Sequence, residues 1–586
     1  LGPTAVWRHS GIGVGRADIP KTANGLRGWI QSARRTLVWD ADGRESAVAL
    51  IAPDDYAFVV NGKVDGSARG DDGTQVMAGL VGAILHPNPQ RSLVIGLGTG
   101  STAGWLGAVP TMQRVDVVEL EPAVLRVAKA CTPVNHDVLH NPKVHIRIGD
   151  AREVLLATPE HYDIIFSEPS NPYRAGIASL FTEEFYRASK ARLNSDGIFL
   201  QWLQAYSVEP STIRTIYATI GHVFPNVETW QTDTGDLLLV ATEKPILYDV
   251  DSIRHRVAME PYASALTHVW DVQGAEGFLS RFVATDAVTR TLAKNETLRN
   301  TDDQTLIEFG FARSVGDESA FNADELTAYA RARNGDHPAN LRGSVDWNVV
   351  YEVRAGITYI YQLPLKVTPD LQVRRRAALS YDKGNLADVV AAWRGHPFEP
   401  VNSAEQRMLG ESLANVGDPV ALRFATALRQ IAPIDAAAIA ARLAFRQGNM
   451  QLAAQLVASV FTAYRHNAWP SVDLMRRAIE LAPLIAKTRP LAPAMTATFE
   501  QPWAAGQWQE ERRVRRILLD HEVFGCAAAT MGALHAVEPW PPWREDILRI
   551  RRDCYGSSRD SRAADAQRDL VDFLANEPSK LLPPRR

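Results

Sequence analysis

The stretch SEPSNPYRAGIASLFTEEFY, residues 167–186, places a carboxylate, Glu168, and an amide, Asn171, in a proline-braced segment directly after the apolar run YDIIF. Such a run reads as a buried strand, so both side chains would stand at its carboxyl end. A carboxylate there suits two tasks, attracting a cation and accepting its proton. A second chemical phrase is LVIGLGTGSTAGWL, residues 93–106, in which Gly96, Gly98 and Gly100 follow an apolar strand and precede a helix. Glycine permits a turn with positive φ and lets backbone N–H groups approach a ligand closely. A dinucleotide fingerprint asks for glycine at its sixth position, where Ser101 stands here. The order GxGxG around Thr99 fits a nucleoside without a pyrophosphate better.

Glu119 lies 23 residues after Gly96, at the end of the strand in VDVVELE. There its acceptor-only carboxylate would take both ribose hydroxyls. Gly149-Asp150-Ala151 follows KVHIRI, and Asp150 would accept from an adenine amino group. Three such features at the ends of consecutive strands mark the edge where open α/β sheets bind ligands. The implied ligand is an adenosyl compound whose reactive end faces Glu168. In an S-adenosyl compound that end is a sulfonium. An attacking amine with a pKa near ~10 must lose a proton before it is nucleophilic, and Glu168 is the candidate to take it.

The elements that must hold these residues are legible as pattern. Residues 36–64 show short β-branched and aromatic runs broken by DADG, APDD and NGK, a meander with Asn61-Gly62 suited to a hairpin turn. From about 70 to 243, SLVIGLG, VDVVEL, KVHIRI, YDIIFS, GIFLQW and DLLLVAT alternate with helical segments. Continuous apolar strands between helices imply a parallel sheet covered on both faces, a doubly wound α/β architecture. Beyond about 370 the chain becomes helical, and Gly384, Gly417 and Gly448 recur in YDKGNLADVVAAW, ANVGDPVALRFA and FRQGNMQLAAQLV. That spacing suggests a tetratricopeptide-like (TPR-like) array of helical pairs, whose concave face would offer a site to a protein partner.

Bulk properties narrow the classes. At 586 residues, 46% hydrophobic and 22% charged, the chain is ordinary globular material too long for one core. The expected domains are 1–70, a β meander; 71–245, the Rossmann-like domain; 246–345, a connector or accessory region; and 346–586, a TPR-like helical domain. A net charge of −4 gives no overall basic field, so nucleic acid is not an expected partner. Cys131, Cys526 and Cys554 show neither disulfide nor metal-site spacing, which fits a reducing, cytoplasmic compartment. His136 and His140 are four apart but flanked by loop residues, and no metal is expected. No stretch reaches the ~18–20 apolar residues of a membrane span. The chain opens on Leu1 rather than methionine, so a preceding segment, including a membrane tether, is an open expectation.

Residues 55–243 resemble the spermidine synthase family of polyamine aminopropyltransferases. SLFTEEFY, Ser179 to Tyr186, is the strongest match, and YDIIFSEPSNP, VVELE and GDA are similar to that family's strand-end motifs. The meander is similar to its small N-terminal β domain. The larger layout resembles bacterial proteins in which such a domain follows membrane helices and precedes a repeat-like tail. The resemblance implies a class I S-adenosylmethionine-dependent methyltransferase fold, decarboxylated S-adenosylmethionine as co-substrate, and an amine such as putrescine as acceptor. It assigns Gly96, Gly98, Thr99, Gly100, Glu119, Glu121, Asp150 and Ala151 to the nucleoside. Glu168 and Asn171 take the places of the two acids of the catalytic loop, and Asp72, Gln75 and Tyr173 fall to the acceptor. A dimer is left open.

This chain also departs from the family pattern. Thr99 stands where the glycine loop carries an aspartate, and Asn171 replaces the loop's second acid. The segment Asp71 to Met77 lacks the family's tyrosine, histidine and final glutamate. Asp233, Asp236, Asp302 and Asp303 are candidates for replacement charge. Two alternatives stay open: methyl transfer from S-adenosylmethionine to an amine, and a silent nucleoside-binding scaffold with a protein-binding tail.

Overall fold

The computed structural model describes residues 8–9, 20–314, 321–357 and 367–577. A helix, Ala23–Thr36, precedes the meander of β1 (Leu37–Asp42), β2 (Ala47–Ile51), β3 (Ala57–Val60) and β4 (Lys63–Ser67), which pair antiparallel in that order. Asn61 and Gly62 close β3 to β4 with φ of 48° and 88°. Two positive φ values give the primed turn whose twist matches a hairpin.

The main sheet contains β5 (Arg91–Ile95), β6 (Arg114–Glu119), β7 (Val144–Ile148), β8 (Tyr162–Ser167), β9 (Leu193–Gln204), β10 (Asn226–Asp233) and β11 (Asp236–Thr242). After β12 (Tyr248–Asp249), which pairs with β14 (Leu341–Arg342), the strand β13 (Phe282–Ala284) joins its edge. The order is β13-β10-β11-β9-β8-β5-β6-β7. Strands β5 to β9 are parallel, while β11 runs antiparallel between β9 and β10. The Rossmann-like fold is therefore present, but the sheet is mixed rather than wholly parallel. Thr234-Gly235, with Gly235 at φ 75°, joins β10 to β11 directly, and so short a link permits only an antiparallel pair.

Helix Met77–Leu85, MAGLVGAIL, is buried along its whole length against the sheet. An all-round apolar helix has no solvent face to offer, so it belongs in the middle of a covered sheet. The stretch 246–345 packs onto the sheet as an accessory region. Tyr248, Phe278, Phe282 and Phe311 share one core with the sheet, and Trp230 of β10 lies 4.8 Å from the Phe278 ring and 5.4 Å from that of Phe282.

Beyond residue 367 come three helical pairs: Pro369–Asp382 with Leu386–Gly395, Ser403–Asn415 with Ala421–Leu428, and Pro433–Arg446 with Met450–Tyr464. Gly384, Gly417 and Gly448 sit in the turn inside each pair at φ of 75°, 76° and 79°, a conformation only glycine adopts without strain. Buried charge fastens this region to the α/β unit, since Arg407 reaches Asp271 at 2.9 Å and Asp435 at 2.8 Å. Further along, the chain returns to the meander. Tyr56 N–H donates to Ala505 O (2.8 Å), Trp508 N–H donates to Asp54 O (2.6 Å), and Val48, Leu50, Phe58, Ala468, Ala504 and Ala505 form a common apolar seam.

One expectation about cysteine is corrected. Cys526 and Cys554 form a disulfide, 28 residues apart. The packing of helix Gln509–Phe524 beside Glu545–Ser558 brings them together, which no local spacing signals. The remaining Cys131 is buried, and burial pushes its thiol up to about 12. Among the described residues no helix is long and apolar enough to cross a membrane.

Candidate functional site

A cavity of about 1070 Å³ opens where the carboxyl ends of β5, β6, β7 and β8 meet the meander and the β10–β11 turn. Gly96, Gly98, Glu119, Glu121, Asp150, Ala151, Glu168, Asn171, Gln75 and Tyr173 all stand in its wall, so one cleft gathers most of the residues singled out by sequence. Thr99, Gly100 and Asp72 are not in that wall.

The half of the cleft at the ends of β5, β6 and β7 is built from backbone contacts. Gly96, at φ 99°, has no room for a side chain, because a Cβ would lie 2.6 Å from the Glu168 carbonyl oxygen. The ends of β5 and β8 thus approach as closely as only glycine allows. Leu97 N–H donates to Glu119 Oε2 (2.9 Å) and Glu121 N–H to Oε1 (2.8 Å). Each oxygen keeps lone-pair capacity for a hydroxyl donor. Burial raises the Glu119 carboxyl, with these N–H donors opposing it. Glu121 accepts from Ala123 (2.9 Å), Glu45 (2.9 Å) and Ser46 (3.2 Å). Those donors outweigh its burial and hold it below the usual range. Its main work is to tie the β1–β2 turn to the end of β6. Asp150 caps helix Ala151–Ala157 by accepting from Arg152 N–H (2.7 Å), and it remains exposed at the cavity rim.

Thr99 turns beneath the glycine loop, fully buried, with its hydroxyl bonded to Gln75 Oε1 and to Ser101 Oγ (2.9 Å). Gly100, at φ 80°, begins helix Ser101–Ala108 and packs against Val138 and Asn135. Position 99 therefore presents no side chain to the cleft.

The half around Glu168 is built from side chains. Thr102 Oγ1 lies 2.6 Å from Gln75 O and 2.9 Å from Glu168 Oε2. One hydroxyl proton cannot serve both acceptors, and a carbonyl can only accept. A protonated Glu168 that donates to Thr102 Oγ1 satisfies both contacts. Burial points the same way, pushing Glu168 up to about 8, and the nearby Asp236 and Asp71 add to it. Burial likewise carries Asp236 up to about 7, with Thr74 opposing and Asp233 and Asp71 adding. Asp71 accepts from Ser67 Oγ (3.0 Å) and is also raised by burial.

Asn171 is buried, and its amide donates to Gln204 Oε1 and to Tyr206 OH (3.4 Å), so it braces the loop. The same loop is moored to β4: Ser170 Oγ donates to Asp65, and Arg174 pairs with Asp65 at 2.7 Å while donating to Val60 O at 2.7 Å.

Asp72 faces away, paired with Arg69 at 2.6 Å beside a second, smaller cavity. The acid in the cleft is its neighbour Asp71, the N-cap residue of the short helix Asp72–Gln75. A one-residue ambiguity at a helix start is beyond what sequence pattern resolves. Of the four proposed replacement acids, Asp236 lines the cleft, Asp233 lines the second cavity, and Asp302 pairs with Arg152; Asp303 lines neither cavity. Two groups, His86 with Asp163 and Asp196, and His521 with the disulfide cysteines, cluster within metal-ligand distance. In the first, Asn88 N–H donates to His86 Nδ1 (3.2 Å), which leaves the proton of a neutral imidazole on Nε2, 3.7 Å from Asp196.

The strand order and a ligand cleft at the strands' carboxyl edge define a Rossmann-like α/β protein with a small β domain folded over its site. Residues 72–235 match the spermine/spermidine synthase domain. A polyamine aminopropyltransferase from Bacillus cereus is 28% identical over 149 residues, 25% of this chain and 54% of that protein. One from Streptococcus pneumoniae is 29% identical over 176 residues, 30% of this chain and 61% of that protein. The chain spans about half the length of the curated relatives it matches. A spermidine synthase structure from Thermotoga maritima is 21% identical with a TM-score of 0.32, covering 36% of this chain and 73% of that one.

Proposed function

We propose that the α/β unit transfers an aminopropyl group from decarboxylated S-adenosylmethionine to an amine of the putrescine type. The observation that carries this reading is the buried carboxylate pair, Glu168 and Asp236 with Asp71 beside them, facing the end of a nucleoside cleft. Glu119, Asp150 and the backbone at Gly96 and Gly98 would hold the nucleoside, with Ala151 at its base. The acceptor enters as an ammonium, drawn by the acids. It loses one proton to the carboxylate pair, and its nitrogen attacks the carbon beside sulfur. The C–S bond breaks, its electron pair stays on sulfur, and methylthioadenosine leaves. One proton is released per turnover.

Entry of two cations lowers the affinity of Glu168 and Asp236 for protons. Binding and proton loss are therefore coupled. The empty site holds protons near neutrality, so kcat/KM should rise with pH between about pH 6 and 8.5 as these raised groups ionise. The test is to supply the full chain with either donor and a panel of amines and to follow methylthioadenosine and S-adenosylhomocysteine by mass spectrometry. A second reading, methyl transfer from S-adenosylmethionine, is favoured by one observation: Thr99 puts no carboxylate in the cleft to grip an aminopropyl ammonium. Formation of S-adenosylhomocysteine without methylthioadenosine would establish it instead. The three helical pairs are proposed as a protein-binding surface.

A further inference from the structure

The two cavities are separated by a pair of hydroxyls. Thr74, in the wall of the main cleft, donates to Asp236 Oδ2 at 2.7 Å, and its Oγ1 lies 2.9 Å from Thr232 Oγ1. Thr74 has one proton, and Asp236 takes it, so Thr232 is the donor in the second contact. Thr232 also lines the second cavity, with Asp72, Asp233, Trp270 and Arg281.

That cavity measures about 180 Å³, room for several waters at ~30 Å³ each. Its wall includes Gly70, which is exposed. Gly73 keeps the passage close: a Cβ there would lie 2.6 Å from Asp233 Oδ2 and 2.8 Å from Thr232 O. Arg281 is 3% exposed, and among the described residues its Nε and Nη1 have no hydrogen-bond partner. Its Nη2 donates to Trp270 O (3.3 Å). A buried guanidinium with unpartnered donors beside two carboxylates marks a wet, polar compartment rather than a packing defect.

We infer that Asp236, Thr74 and Thr232 form a proton exit from the transfer site into the second cavity, where Asp233 receives the proton. The inference rests on the transfer reading above. When donor and acceptor fill the main cleft they stand between Asp236 and bulk water, and a back route clears the carboxylate for the next turnover. The step balances: both hydroxyls first turn outward, Asp236 O–H gives its proton to Thr74 Oγ1, Thr74 gives its own to Thr232 Oγ1, and Thr232 gives its own, through solvent in the second cavity, to an Asp233 carboxylate oxygen. That transfer leaves both hydroxyls pointing as they are seen, toward Asp236. Glu168, Asp71 and Asp233 are the charged groups that face Asp236 and tune this transfer. Arg281, Asp71 and Asp72 do the same for Asp233.

The experiment uses the full chain with decarboxylated S-adenosylmethionine and putrescine. Thr232→Val is the decisive variant, because Thr232 touches Thr74 and not Asp236. It should lower kcat about tenfold or more across about pH 6 to 9, with KM for the amine unchanged, and raise the solvent deuterium effect on kcat, because proton exit then limits turnover. Thr74→Val should do the same, and Thr74→Ser and Thr232→Ser should restore turnover by keeping the hydroxyl. Wild-type kcat in Thr232→Val at every pH, or Ser variants as slow as Val variants, would overturn the relay while leaving the transfer reading intact. A wild-type chain that makes no methylthioadenosine would overturn both.

Discussion

The two halves of the cleft handle carboxylates in opposite ways. Glu119, Glu121 and Asp150 meet backbone N–H groups fixed by strand ends and a helix start. Their positions are set before any ligand arrives. Glu168, Asp236 and Asp71 meet side-chain hydroxyls and repel one another, with Lys63 acting on Asp71. Backbone donors favour the charged form and give a fixed grip, whereas mutual repulsion in a dry wall favours a bound proton. One half is built to hold, the other to exchange.

That contrast is most exposed at Glu168. Glu168→Gln should reduce turnover by on the order of a hundredfold or more while donor affinity changes little, measured by methylthioadenosine release and by donor titration. An equal loss in both quantities would erase the distinction between the halves. Asp236→Asn should cost roughly tenfold to a hundredfold and move the rising limb of the pH–rate profile, since one of two coupled groups is removed. On the holding side, Glu119→Gln should weaken donor binding roughly tenfold, the worth of one charge-assisted hydrogen bond, with a smaller change in kcat.

The smallest effect is on stability. Glu168 and Asp236 bind protons more tightly folded than unfolded, so the unfolded chain holds fewer protons between about pH 4.5 and 8 and stability falls as pH rises through that window. Thermal unfolding without ligand should show that slope, and Glu168→Gln should flatten it. A slope of unchanged steepness would place the proton elsewhere.

Sequence pattern carried much of this. Six strands and the glycine turn are marked by apolar runs, and the side of the sheet that bears the site follows from where those runs end. β10 was harder to see: NVETWQTD alternates polar residues that are nonetheless buried, because Thr229 pairs with the Tyr217 hydroxyl (2.9 Å) and β13 covers its edge. Pairing across the fold is invisible in a local window. For the same reason Asp236 stood only as one of four guesses, and Asp71 was displaced by its neighbour Asp72. Thr74, Thr102 and Thr232 carry no signal at all in one sequence. Threonine is common, and only the fold shows which hydroxyls bridge two acids or two cavities.

The return of the C-terminal region to the meander bears on how this molecule is handled. Residues 504–508 lie against Tyr56, and Gly506 leaves no space there, since a Cβ would sit 2.6 Å from the Tyr56 ring. A fragment trimmed to the transferase segment would bare the greasy face of its own lid: Leu50 and Phe58 would meet water and invite clumping. Residues 504–508 thus back the β meander from the side away from the cleft wall, and a fragment that omits them loses that support.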